Sequence, residues 1–323
     1  MEETVGRGPL LLLSGRANEP LAREIGEILG KSVDAAHIRN FADGEIFVRI
    51  DRNARGRDVI IIQPTVAPAD NIMELLLLID AAKRASAARI TAVIPYFGYG
   101  RQDRKDQPRV SIGAKLAANL VVTAGADRVL GMDFHQHQIQ GFFDIPVDHL
   151  YAAPVLIRYF LEKELEELVV VAPDVGSAKM ARGFAKRLGA TFAIIDKRRP
   201  ATNQAEVLSV VGDVSGKNCI ITDDMVDTAG TMASAVHALK DRGARTVFAS
   251  ATHALLSGKA RERLEASPLE ELVVTNTIHV PEERRFDRLT VLSVAGLLAR
   301  AIEYVHSNDS VSQLFDIRTE DDD

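Results

Sequence analysis

Short, almost wholly apolar runs recur along the chain at residues 10–13, 59–62, 90–94, 128–132, 169–172, 192–195, 220–222 and 247–250. Each is of strand length and lacks the alternation of a half-exposed strand, as expected when helices cover both faces of a parallel sheet. The segments between them read as helices. Over 70–85 the stripe Met73, Leu76, Leu77 and Asp80 recurs at three- and four-residue steps behind a candidate cap at Asp70. Residues 111–123, 154–166, 177–188 and 229–242 repeat the theme, and Gly125, Gly189 and Gly243 follow three of them, where a left-handed C-cap belongs. This β-α-β-α order predicts an α/β protein with mostly parallel sheets.

The chain has 323 residues, more than one hydrophobic core usually supports, so about two domains are expected. Similar punctuation in both halves, Gly125-Ala126-Asp127-Arg128 and Gly243-Ala244-Arg245-Thr246, predicts two domains of similar build. A shared local capping rule would give the same likeness without duplication. With the boundary near 146–149, the first domain covers 1–148 and the second 149–304. Residues 305–317 return to the first, and 318–323 form a solvated acidic tail.

Composition removes several classes. Lys and Arg number 39 against 45 Asp and Glu, a net charge of −6, which disfavours a general nucleic-acid binder. Cys219 is the only cysteine, so neither an intramolecular disulfide nor a Cys-rich zinc site is available, and a reducing cytosol fits best. No apolar stretch near the N-terminus is long enough to cross a bilayer, and no export leader is visible, so no membrane partner is expected.

Chemistry belongs in the loops that follow strands, because ligands of α/β sheets sit at the strands' carboxyl ends. The strongest is Asp223-Asp224-Met225-Val226-Asp227-Thr228-Ala229-Gly230-Thr231, which opens a helix. A helix start offers amide N–H groups and a positive dipole end, and Gly230 lets an anion approach the backbone, so this turn suits a phosphate. Asp223 and Asp224 would repel phosphate and are better matched to sugar hydroxyls or Mg2+. Asp227 could instead be a simple N-cap. Phe41-Ala42-Asp43-Gly44-Glu45 is either a hairpin turn or a nucleotide element. The aromatic and basic stretch 95–106, with Arg101 and Gln102, follows the strand 90–94. Met132-Asp133-Phe134-His135 ends another strand. Pro173-Asp174-Val175-Gly176-Ser177 repeats the strand, acid, glycine, helix plan, although Asp174 could merely cap its helix. Asp196-Lys197-Arg198-Arg199-Pro200 is a run of cations that could equally be a solvated turn.

The 223–231 loop resembles the phosphoribosyl-diphosphate (PRPP) fingerprint shared by type I phosphoribosyltransferases and the ribose-phosphate pyrophosphokinase (PRPP synthase) family. Residues 132–148, with Gln138-Ile139-Gln140-Gly141-Phe142-Phe143-Asp144, closely resemble the synthase signature alone. Phe134 and Gln136-His137 depart from the small residues usual there. The likeness runs through Thr290 to Ala295 and the tail Ser310 to Phe315.

This resemblance implies two doubly wound domains of the type I phosphoribosyltransferase-like fold facing each other across the site. It also implies transfer of the β,γ-diphosphoryl group of ATP to the 1-hydroxyl of ribose 5-phosphate, without a covalent nucleophile. By the same likeness Phe41, Asp43, Gly44, Glu45, Arg101, Gln102 and His135 bind ATP, while Asp223, Asp224, Asp227, Thr228, Ala229, Gly230, Thr231 and Arg199 bind ribose 5-phosphate. Mg2+ is the cofactor, near His135 and Asp174, and Lys197 and Arg199 are catalytic. The resemblance further implies a homohexamer in which the adenine elements of one subunit complete a neighbour's site. Inorganic phosphate and ADP would act as effectors near Ser310 and Ser312. Two rivals remain: a nonenzymatic regulatory subunit should have damaged catalytic loops, and a phosphoribosyltransferase would leave the elements of the first half unexplained.

Overall fold

The apolar runs become the strands of two parallel sheets. The computed structural model describes residues 8–34, 36–198, 207–311 and 314. The chain divides into two compact units. One takes residues up to Tyr151, the stretch Thr277–His279 and the chain from Val294 onward; the other takes Ala152–Asn276 and Val280–Ser293.

The first unit contains β1 (Gly8–Ser14), α1 (Glu19–Ile28), β2 (Ala36–Asn40), β3 (Ile46–Ile50), β4 (Arg57–Ile62), α2 (Asp70–Arg84), β5 (Arg89–Ile94), α3 (Gly113–Ala124), β6 (Arg128–Met132) and β7 (Val147–Leu150). Its five-stranded sheet runs β1-β4-β5-β6-β7, all parallel, and β2 with β3 forms a separate antiparallel hairpin. The hairpin lays Ala36, Ile38, Val48 and Ile50 on the core, so the alternate positions of the ribbon face outward.

The second unit contains α4 (Ala153–Glu162), β8 (Leu168–Ala172), α5 (Ala178–Arg187), β9 (Thr191–Arg198), β10 (Val207–Val211), β11 (Asn218–Val226), α6 (Gly230–Asp241), β12 (Thr246–Ala254), α7 (Ala260–Ala266), β13 (Glu271–Thr275) and β14 (Leu289–Leu292). Its sheet order is β10-β9-β8-β11-β12-β13-β14, parallel except where β10 pairs antiparallel with β9. The chain builds outward from β8 through β9 and β10, then crosses back to continue from β11. The strand order therefore reverses between β8 and β11, the topological switch point at which open α/β sheets bind ligands. The first sheet has no such reversal.

The final helix, α8 (Ala295–Ser307), belongs to the first unit, whereas the sequence reading assigned residues to 304 to the second. Its buried face, Leu298, Ala299, Ile302 and Val305, packs with α1. The Arg89 guanidinium also donates to the Val305 carbonyl at 3.0 Å.

Helix α2 forms where expected, but its face is rotated. Glu74, Leu75, Leu78, Ile79 and Ala82 are buried, while Met73 is 52% exposed. Residues 75–79 are all apolar, so their pattern cannot choose a face, and packing decides. The N-cap is Ala69; Asp70 lies inside the first turn, where its charge meets the positive end of the dipole. The glycine punctuation is a shared capping rule. Gly125 (φ 119°) and Gly243 (φ 84°) each donate to the carbonyl three residues back, and Ala126 and Ala244 each to the carbonyl five back. No helix of the described residues is long and apolar enough to cross a membrane.

Candidate functional site

In the second unit the switch point brings two loops to one sheet edge. Strand β8 ends at Ala172 and pairs with β11 through Val171 and Ile221, so Asp174 follows the end of β8 while Asp223 lies just beyond the paired stretch, three residues before β11 ends at Val226. Ser177 joins them: its Oγ lies 3.1 Å from Asp174 Oδ1 and 3.1 Å from Asp223 Oδ1. Asp174 Oδ1 also accepts from the Ser177 amide at 3.0 Å. Asp174 thus organises the start of α5 as well as joining the acidic group. Burial, then the charges of Asp224 and Asp174, push the Asp223 carboxyl up to about 7, against bonds from the Asp224 amide and Ser177 that favour its ionised form.

Beyond the acids, the 227–231 turn opens α6. The N-cap is Ala229, held in the left-handed region at φ 58°, and it has no side chain with which to bond the first-turn amides. Asp227 is therefore not the helix cap. The amides at the start of α6 face the same edge as the acids, with the dipole favouring an anion. Lys197 is placed by its backbone alone, on β9 opposite Leu208 and on the other flank of β8 from Asp223. Arg199 lies outside the described residues.

In the first unit, the loop after β5 and the loop after β6 enclose a cleft of about 540 Å³ whose lining includes Arg101, Gln102, Arg104 and His135. A glycine allows this backbone path: a Cβ on Gly98 would fall 2.1 Å from the Thr65 carbonyl oxygen. The Gln102 amide donates to Tyr99, whose own φ of 63° turns the loop, and the Gln102 carbonyl accepts from Ala114 at the start of α3. Behind the cleft Phe97, Phe134 and Phe143 pack ring on ring, with centroids 5.5 to 6.4 Å apart. Phe134 also stacks on His149 at 4.7 Å, and its amide donates to His149 Nε2. The departure at Phe134 is thus absorbed by this aromatic cluster.

Phe41, Asp43, Gly44 and Glu45 do not line that cleft. They form the tip of the β2–β3 hairpin, so the hairpin reading of this motif holds structurally. The Phe41 amide donates to Glu45, Gly44 (φ 98°) donates back to Phe41, and Asp43 Oδ1 accepts from the Glu45 amide. Phe41 is 43% exposed. Arg39, cross-strand from Phe47, places its guanidinium 4.5 Å from the Phe41 ring centre and 4.7 Å from that of Phe47. Sequence reading passed over Arg39 and Phe47, and included Ser177 in its loop without giving it a role. Strand alternation would have put the first two on one face; nothing local marks Ser177 as a bridge.

Two family models match the chain. Residues 10–125 fit the N-terminal domain of ribose phosphate pyrophosphokinase, and residues 199–316 the phosphoribosyl synthetase-associated domain. The chain is 54% identical over 308 residues to the ribose-phosphate pyrophosphokinase of Caldanaerobacter subterraneus subsp. tengcongensis, covering 95% of this chain and 98% of that one. It is 55% identical over 309 residues to the enzyme of the same name from Synechococcus elongatus, covering 95% and 93%. Among solved structures, phosphoribosylpyrophosphate synthetase from Mycobacterium smegmatis superposes with a TM-score of 0.89 at 47% identity, over 93% of this chain and all of that one. Matches of this length and identity, spanning both units, leave one assignment: the chain belongs to the ribose-phosphate pyrophosphokinase family.

Proposed function

We propose that this protein transfers the β,γ-diphosphoryl group of ATP to the 1-hydroxyl of ribose 5-phosphate, giving PRPP and AMP. One observation carries the reading: the acids Asp174, Asp223 and Asp224 and the amino end of α6 share one edge at the β8/β11 switch point. Acids accept hydrogen bonds from sugar hydroxyls, and a helix start accepts a phosphate, so this edge matches both ends of a sugar phosphate.

In this reading Asp227 to Thr231 hold the 5-phosphate, and Asp223 with Asp224 hold the ribose hydroxyls. In the first unit Arg101 meets ATP phosphate oxygens through its planar fork, with Gln102 and His135 beside it. Phe41 offers a stacking face to adenine, and Asp43, Gly44 and Glu45 bind its edge. Because the hairpin tip does not line the cleft of its own chain, a neighbouring copy in a homohexamer is the proposed recipient. Lys197 and Arg199 stabilise the charge that develops as the sugar hydroxyl attacks the β-phosphorus, where positioning and cations supply most of the acceleration. Inorganic phosphate and ADP are the proposed effectors, near Ser310 and Ser312, the latter outside the described residues. The proposed location is the cytoplasm.

The donor set fits Mg2+. Asp174, Asp223 and Asp224 are hard oxygen donors, and their crowding is what a divalent cation relieves. Among the described residues no group of three or more His, Cys, Asp or Glu gathers to hold a metal unaided. Mg2+ is usually held by one or two carboxylates and shared with substrate phosphates. Asp174 is the proposed carboxylate ligand; His135, a nitrogen donor, is the poorer match for Mg2+ and the easier contact for triphosphate. When bound, Mg2+ neutralises phosphate oxygens.

The test is AMP release in the presence of ATP and ribose 5-phosphate, with each omitted in turn. Dependence on both is expected. A regulatory subunit would release none, and a phosphoribosyltransferase would consume PRPP with a base instead.

A further inference from the structure

Three successive carbonyls of the phosphate-suited turn are bound to one neighbouring segment. The Val226 carbonyl accepts from the Leu256 amide at 3.0 Å and the Asp227 carbonyl from the Ser257 amide at 2.9 Å. The Thr228 carbonyl accepts from the Arg263 guanidinium, with Nη1 at 2.7 Å. In a trans peptide the C=O and N–H of one unit point in opposite directions. Fixing these three carbonyls toward 256–263 therefore turns the amides of Asp227, Thr228 and Ala229 away from that segment. Runs of convergent backbone N–H groups make anion-binding concavities.

Two of the three donors are backbone amides, so no side chain can be deleted to remove them. The third is a side chain from α7, a different element, and Arg263 is exposed on the surface of the unit. Its Nη1 also lies 3.8 Å from where a Cβ on Gly230 would stand, so the guanidinium reaches over the turn at its one open backbone position. Ala229, the next residue after the bonded carbonyl, is the one in the left-handed region. Such a conformation persists only when its surroundings hold it.

We propose that Arg263 is a positioning residue for ribose 5-phosphate: by holding the Thr228 carbonyl it aims the Ala229 amide, and with it the left-handed step into α6, at the 5-phosphate. This rests on the reading of 227–231 as the sugar-phosphate turn. The contribution is to binding of a group remote from the reacting atoms, so it is felt equally in the ground and transition states.

Calorimetric titration of ribose 5-phosphate into the full-length protein, with AMP-release kinetics and a thermal midpoint, tests it. Arg263→Ala should weaken ribose 5-phosphate binding about tenfold or more and raise its KM in parallel, because the Ala229 amide loses its fixed aim. KM for ATP and kcat should hold, while the thermal midpoint falls slightly, since the same bond braces the turn in the free protein. Arg263→Lys, which keeps a cationic donor, should recover most of the affinity. Unchanged sugar-phosphate affinity in Arg263→Ala overturns the proposal, as does a parallel loss for both substrates. Should the wild-type protein release AMP yet the variant behave identically, only the role of Arg263 fails. A wild type that binds no ribose 5-phosphate removes the assignment of the turn itself.

Discussion

Ser177 Oγ stands 3.1 Å from Asp223 Oδ1, and the same hydroxyl stands 3.1 Å from Asp174 Oδ1. One hydroxyl hydrogen cannot serve both carboxylates at once. Burial and the neighbouring charges of Asp224 and Asp174 answer by raising the Asp223 carboxyl to about 7.

A stability profile follows from that shift. Unfolded, Asp223 ionises near its ordinary value of 3.8; folded, it keeps its proton to about 7. Between those values the folded state binds more protons than the unfolded, so this group's contribution falls as pH rises and levels off above 7. In chelator without substrates, Asp223→Asn should leave the thermal midpoint near wild type at pH 4. It should raise the midpoint progressively toward pH 7 and hold that gain at pH 8. A constant offset across the range would contradict the assignment. Turnover should fall in the same variant.

Lys197 and Arg199 are assigned to the charge on the transferring phosphoryl group. Removing a comparable transition-state donor costs ~3 kcal/mol, about a hundredfold in rate. Lys197→Ala should lower kcat for AMP release at least that far while both KM values change little. Near-normal turnover would refute the role.

At the hairpin tip the Arg39 guanidinium lies against both Phe41 and Phe47, whose rings meet edge to face with centroids 5.7 Å apart, and Phe41 is left 43% exposed. Aromatic stacking on a nucleobase contributes roughly 1–3 kcal/mol. Phe41→Ala should therefore raise KM for ATP about tenfold or more, with KM for ribose 5-phosphate unmoved. Equal effects on both substrates would argue against a base-stacking role.

The parts that were legible in the sequence are those whose signal is local. Acid, small residue and helix start fall within a few positions at 174–178 and 223–231, so the loops at the switch point could be found from order alone. The face of α2 could not, because residues 75–79 are apolar on every side. Its buried Glu74 is explained only by partners far along the chain: the Arg16 backbone and guanidinium at 2.6 and 2.7 Å, and Gln63 at 3.1 Å. Arg263 likewise meets Thr228 across 35 positions. Tertiary hydrogen bonds of this kind leave no periodicity behind.

The return of α8 to the first unit has the same origin and can be tested. Asp58 on β4 and Arg89 on β5 are buried, with Arg89 Nε 2.7 Å from Asp58 Oδ1 and Nη2 bound to Oδ2. Asp58 Oδ2 also meets His306 Nδ1 at 2.7 Å, while Arg89 Nη1 takes the Val305 carbonyl. Both charges are thus spent on each other and on the end of α8. Breaking a buried pair strands the remaining charge and typically costs about 3–5 kcal/mol, whereas replacing both partners with apolar groups of similar size is often neutral. Asp58→Asn should accordingly lower stability by about 3 kcal/mol in urea unfolding and raise amide exchange in α8 above that in α3. The double variant Asp58→Leu/Arg89→Met should recover most of the unfolding free energy but not the protection of α8, since it lacks the donor to Val305. Recovery of both would mean that apolar packing against α1, not this polar junction, fixes the last helix.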